Sequence, residues 1–158
     1  MFTISALYHF TKFVNPNALR GPIFSICEHE GIKGTILLAH EGINGTVAGS
    51  SEGIARLWEH VSKLPGCTGF EHKESFSKSM PFKRMKVRLK KEIVTMGKPN
   101  VDPRVRAGHY IEPSDWNALI SAPDVVVIDT RNEYEVGIGT FEGAINPKTK
   151  TFREFPKW

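Results

Sequence analysis

The 158-residue chain predicts an α+β fold: a ferredoxin-like domain of order βαββαβ over residues 1–98, followed by the beginning of an α/β domain. Three stretches predict it. Lys33–Gly49 (KGTILLAHEGINGTVAG) sets two apolar, β-branched runs either side of the polar residues His40, Glu41, Gly42, Asn44 and Gly45, the pattern of a hairpin. Ile54, Leu57, Trp58, Val61 and Leu64 recur at helical spacing. Finally, Met85, Val87 and Leu89 alternate with Arg84, Lys86, Arg88 and Lys90, a strand with one buried and one basic face.

The remaining elements fall between these. Phe2–Phe10 alternates well enough for a strand, with Ile4, Ala6 and Tyr8 on one face. Asn15-Pro16 supplies an N-cap and first helical residue for the helical stripe Leu19, Ile23, Ile26 and Cys27, which Gly31 ends. Gly21-Pro22 lies inside that stripe and predicts a turn or kink there. Ser50 or Ser51 caps the second helix and Pro65-Gly66 stops it. Two helices on one side of the sheet leave its other face open to a ligand or a second domain.

Beyond residue 98 the pattern changes. Gly97–Gly108 is rich in Gly and Pro and has little periodicity, so 99–111 is expected to be a linker and 112–158 a second domain. Pro113 opens a helix through Trp116, Leu119 and Ile120. Val125–Ile128 is a continuous apolar run of the kind found in parallel strands buried on both faces. It ends in a polar burst beginning at Asp129 and Arg131, where α/β proteins place their sites.

Charge divides the same way. Residues 1–98 hold 14 Lys/Arg against 8 Asp/Glu, a net +6, whereas 99–158 hold 7 against 9, a net −2. This asymmetry points to a polyanionic partner for the first half. Composition is that of a globular protein, with 40% hydrophobic and 24% charged residues and no apolar run of membrane-spanning length. The N-terminus lacks the basic start and cleavage site of a signal peptide. The only cysteines, Cys27 and Cys67, form no metal or redox spacing, so a reducing, cytoplasmic setting without a bound metal is expected.

Two groups of residues are candidates for function. Lys83–Lys91 carries six Lys/Arg in nine residues, and Arg84, Lys86, Arg88 and Lys90 on one strand face suit RNA phosphates, with Phe76 and Phe82 close in sequence. The alternative is an edge strand guarded by cations against aggregation. In the hairpin turn, His40, Glu41 and Asn44 are candidates for substrate contact. The alternative there is that Gly42, Asn44 and Gly45 supply positive φ while His40 and Glu41 close the turn. Cys27, on an apolar stripe, reads as a core thiol.

Asp124–Pro147 (DVVVIDTRNEYEVGIGTFEGAINP) resembles the opening of a rhodanese domain. Together with AHEGINGTVAG and the basic strand, it makes the whole chain resemble the rhodanese-like tRNA uridine hydroxylases, in which an acylphosphatase-like domain precedes a rhodanese domain. The resemblance implies oxygen-dependent hydroxylation of the wobble uridine of tRNA to 5-hydroxyuridine. It implies tRNA as partner, and molecular oxygen as co-substrate with no further cofactor. It makes Asp129 and Arg131 structural, tying a strand end to neighbouring loops. It also places the family's catalytic cysteine in a C-T-G-G-I-R-C type of loop downstream of Trp158, so that none of the catalytic residues is expected in this chain. Cys67-Thr68-Gly69-Phe70 resembles the start of that loop but lacks its second glycine and its Ile-Arg. Two further readings stand beside this one: a rhodanese-type sulfurtransferase carrying a persulfide, and an RNA-binding module without catalysis. An acylphosphatase-type hydrolase is disfavoured, because only Lys12 stands where that chemistry wants an arginine.

Overall fold

In the computed structural model, which describes residues 1–98, 101–105 and 108–158, Phe2–Phe10 forms strand β1 and Pro16–His29 helix α1. Lys33–Ala39 (β2) and Gly42–Gly49 (β3) form the hairpin, Ser51–Ser62 helix α2, and His72–Ser77 and Met85–Leu89 strands β4 and β5. The sheet order is β4-β1-β3-β2-β5, antiparallel except where β5 joins β2 in parallel. The first four strands with α1 and α2 make the expected ferredoxin-like unit. The basic strand is a fifth, added at the outer edge of β2. Residues 78–84 connect it to β4, which forms the other edge of the sheet.

The core lies between the sheet and its two helices. Leu7, Ile36, Leu38, Ile43, Val47 and Val87 from the strands pack with Ile23 and Cys27 of α1 and Ile54, Leu57, Trp58 and Val61 of α2. Each aliphatic side chain taken fully out of water there contributes about 1.5–3 kcal/mol. Trp58 donates its indole N–H to Ser5 Oγ at 2.8 Å, so the one polar atom of the buried ring is satisfied. Ser50 caps α2 by accepting the Gly53 N–H at 3.0 Å.

Two local expectations change. α1 runs unbroken through Gly21-Pro22. Ile23 and Cys27, both fully buried, pin the next turn to the sheet, and this packing outweighs the hydrogen bond that proline cannot donate. The hairpin turn is shorter than its polar residues suggested: only His40 and Glu41 lie outside the strands, and Asn44 and Gly45 are ladder residues paired with Leu37 and Ile36. Gly42 does have positive φ (146°), and a Cβ there would lie 2.1 Å from the His9 carbonyl oxygen. Gly45 does not; it is needed because a Cβ would sit 2.5 Å from the Thr35 oxygen.

By compactness the described chain divides into Met1–Val94 and Thr95–Trp158. Of the linker expected at 99–111, residues 99, 100, 106 and 107 lie outside the described residues. The second unit has helices α3 (Pro113–Ile120) and α4 (Glu133–Val136) and a final 3-10 turn, Phe152–Lys157. Its apolar run 125–128 is not the doubly covered strand that its composition suggests. Among the described residues it is joined by one parallel bridge, Ile128 to Ile145, and Val126 is exposed. A strand of that type is buried only when neighbouring strands and helices cover both faces, and this unit supplies one bridging partner.

Candidate nucleic-acid interface

β5 alternates as its sequence requires. Met85 and Val87 are buried toward the helices, while Lys86 and Arg88 stand opposite Thr35 and Leu37 on the face away from them. Arg84 and Lys90 lie just beyond the strand ends: the Arg84 carbonyl accepts the Gly34 N–H, and the Lys90 N–H donates to Leu38 O at 2.8 Å. Lys83, Arg84 and Lys86 join Thr35, Pro81 and Phe82 around a cleft at the corner of the sheet. On the outer edge of β5, Arg20 of α1 donates Nε–H to the Val87 carbonyl at 3.1 Å, so one of the edge acceptors is covered by a cation. Phe82 is part of this basic corner. Phe76 is not: it sits on β4, at the opposite edge, and is 65% exposed.

The three polar residues of the hairpin bond to the protein's own backbone. His40 Nδ1 pairs with the Phe13 carbonyl at 2.9 Å, which requires the ring to carry its proton on Nδ1. Glu41 Oε1 accepts the Ile93 N–H at 2.6 Å and Asn44 Nδ2 donates to the Ile93 carbonyl at 2.9 Å. Glu41 and Asn44 thus clamp both sides of one residue, and Ile93 is held 2% exposed. Through these two bonds the hairpin fastens the segment following β5 to the sheet.

In the second unit, Asp129 and Arg131 form a two-pronged ion pair, with Arg131 Nε and Nη2 at 2.9 and 2.6 Å from the two carboxylate oxygens. Asp129 also accepts from Thr140 Oγ1 at 2.8 Å, and Arg131 donates to the Gly139 carbonyl at 2.6 Å. The Arg131 guanidinium, and then the Thr140 hydroxyl, hold the Asp129 carboxyl well below the usual carboxylate range. The pair closes the loop 129–140 beside a pocket lined by Trp116, Val127, Thr130, Thr140 and Phe141.

Both thiols are fully buried. Desolvation pushes Cys27 up to about 12, helped by Glu28, and Cys67 up to about 11, so neither forms a thiolate near neutrality. Among the described residues no cluster of His, Cys, Asp or Glu could hold a metal ion, and no helix is long and apolar enough to cross a membrane.

What sequence reasoning missed lies across the sheet. The register puts Lys73, Ala6, Thr46, Thr35 and Lys86 in one row spanning all five strands, on the face opposite the helices. The alternation of β1 pointed to its Ala6–Tyr8 face. Nothing local could show that Lys73 and Lys86 end the same row.

A family model described as UPF0176 acylphosphatase like domain matches residues 2–93. The chain belongs to that family. The match ends within one residue of the boundary of the first compact unit, so the UPF0176 domain is that unit. Similarity to curated relatives continues through the second. The tRNA uridine(34) hydroxylase of Gluconobacter oxydans is 64% identical over 98% of this chain and 50% of its own length. Those of Roseobacter denitrificans and Ruegeria pomeroyi are 60% and 61% identical over the entire chain and 53% and 52% of theirs. The UPF0176 chain thus spans about half the length of the curated relatives it matches. Among solved structures, an acylphosphatase from Coxiella burnetii aligns at 15% identity over 55% of this chain and 90% of its own, with a TM-score of 0.40, from which nothing further follows.

Proposed function

We propose that this chain is part of a tRNA uridine-34 hydroxylase, and that its UPF0176 domain holds the tRNA while the wobble uridine is converted to 5-hydroxyuridine. One observation carries the reading: identity of 60–64% with proteins bearing that name runs through both units, over 98–100% of the chain. The basic corner and the Lys86–Arg88 face support the RNA-holding part, since cations on one side of a sheet attract the phosphate backbone without regard to sequence. In this reading the substrate is tRNA, molecular oxygen is the co-substrate, the setting is cytoplasmic, and the catalytic cysteine belongs to a rhodanese domain that begins in the second unit. Asp129 and Arg131 are positioning residues there, fixing the loop that leaves the apolar run.

The test uses cells lacking the full-length gene. Their tRNA should lose 5-hydroxyuridine and its derivatives, regain them when the full-length gene is returned, and take label from heavy-isotope dioxygen. Unchanged tRNA nucleosides in the deletion would sink the proposal. Returning Arg84→Glu, Lys86→Glu, Arg88→Glu should restore little modification, and the purified variant should bind tRNA more weakly and with a flatter dependence on salt.

A further inference from the structure

We infer that Glu41 and Asn44 are positioning residues for the reaction: by holding Ile93 they fix the point from which the chain enters its second unit, and so how that unit is presented to the tRNA. The inference rests on the hydroxylase reading above, in which the second unit begins the domain that carries the catalytic cysteine.

The anchor stands at the end of the first unit. Ile93 is the last residue matched by the family model, and the second compact unit starts at Thr95. No ladder reaches Ile93. β5 ends at Leu89, and among the described residues the last main-chain bond to β2 runs from the Lys90 N–H to Leu38 O at 2.8 Å. Ile93 is held by side chains instead. Glu41 Oε1 accepts its N–H at 2.6 Å, Asn44 Nδ2 donates to its carbonyl at 2.9 Å, and its own side chain is buried. A residue fixed by its donor, its acceptor and its side chain has a set exit direction. The fixture is itself braced. The Glu41 carbonyl accepts the Thr11 N–H and the His40 carbonyl the Phe13 N–H, each at 3.0 Å, so the turn is joined to the connection between β1 and α1.

Reach determines what such an anchor does. Held at Ile93, the chain has two residues in which to arrive at Thr95, a span of at most about 7 Å. Released back to Lys90 it has five, a span of about 17 Å. The volume open to the start of the second unit grows as the cube of that reach, roughly 14-fold, and the effective concentration of one part at the other falls accordingly. A clamp that served only to close the first unit would leave activity indifferent to the length of chain just after Ile93. One that presents the second unit makes activity depend on that length. Reacting groups tolerate little displacement: a shift of about 1 Å, caused far from the chemistry, costs up to about 100-fold.

The full-length protein tests this, returned to cells that lack its gene and, once purified, in binding to tRNA. Glu41→Met combined with Asn44→Leu should lower 5-hydroxyuridine formation about 10-fold while tRNA affinity stays unchanged. Glu41→Gln, which keeps an acceptor oxygen for the Ile93 N–H, should retain formation. A Gly-Ser insertion of about four residues between Val94 and Thr95 leaves the clamp and the first unit untouched, and should reproduce the loss. It also decides the matter if the double variant does not fold. In the unaltered protein the Ile93 amide should be protected from hydrogen exchange, and the double variant should lose that protection. Full modification with the insertion, full modification in a folded double variant, or an unprotected Ile93 amide in the unaltered protein would each overturn the inference. In those cases the hydroxylase reading survives, provided the unaltered gene restores 5-hydroxyuridine. If the unaltered gene restores none, that reading falls and the positioning role with it.

Discussion

Single residues here carry architecture. His40, Glu41 and Asn44 are polar and lie in or next to a tight turn, and each bonds to main chain, of Phe13 or Ile93. The sequence shows donors and acceptors but not the distant backbone that uses them, 27 to 52 residues away. Asp129 and Arg131 lie two residues apart, and their pairing follows from that spacing; the reach to Gly139 and Thr140 does not. The ion pair has a definite pH dependence. The Asp129 carboxyl titrates below the usual carboxylate value of about 3.9 because its charged form is bonded. Its tethering of the loop is therefore complete above that value and is lost as pH falls through the lowered one. Arg131→Met should move the Asp129 titration, followed by carboxyl NMR, upward by about one unit or more. No movement would show that the contact does not persist in solution.

At the scale of elements, periodicity was a good guide where burial enforces it. α2 and β5 have their apolar residues where the 3.6 and 2.0 repeats put them, and Ser50 caps α2 as its position suggests. The strand His72–Ser77 was hidden because five of its six residues are exposed; its identity comes from pairing with β1 and not from its own pattern. Pro22 shows the converse error, a strong local signal overruled by packing on either side. A proline tolerated this way still forfeits a helical hydrogen bond, to the Ala18 carbonyl. Pro22→Ala, at an exposed position, should therefore stabilise the first unit by about 1–3 kcal/mol, measured by denaturant unfolding. A neutral or destabilising result would mean that the native helix is already bent to suit proline.

The whole molecule is unequal in its two parts. Every member of the buried apolar cluster, from Leu7 to Val87, belongs to the first unit. In the second, Thr149 is the one described residue that is buried, and Trp116 Nε1 is an indole donor without an acceptor among the described residues. Residues 1–94 expressed alone should unfold cooperatively, and residues 95–158 alone should show no cooperative transition by circular dichroism or calorimetry. A sharp transition in the latter would show that this unit has a core of its own. Composition changes near the division between the two parts, with basic residues in excess before residue 98 and acidic ones after it. It could not anticipate that an apolar run such as Val125–Ile128 stays half-exposed, because burial of a parallel strand is decided by neighbours and not by its own residues.

The connection from β4 to β5 acts as a ruler. Both strand ends it joins lie at the same end of the sheet, since β4 runs against β1, and β5 runs with β2 and hence with β1. From Ser77 to Met85 the chain has eight steps, an extended reach of about 26–29 Å, to cross four strand spacings of roughly 19 Å in total. The slack is only two or three residues. Lengthening the strap costs little, because closure entropy grows slowly with length. Shortening it by three residues would exhaust the reach and peel β5 from β2, removing Lys86 and Arg88 from the sheet while leaving the ferredoxin-like strands intact.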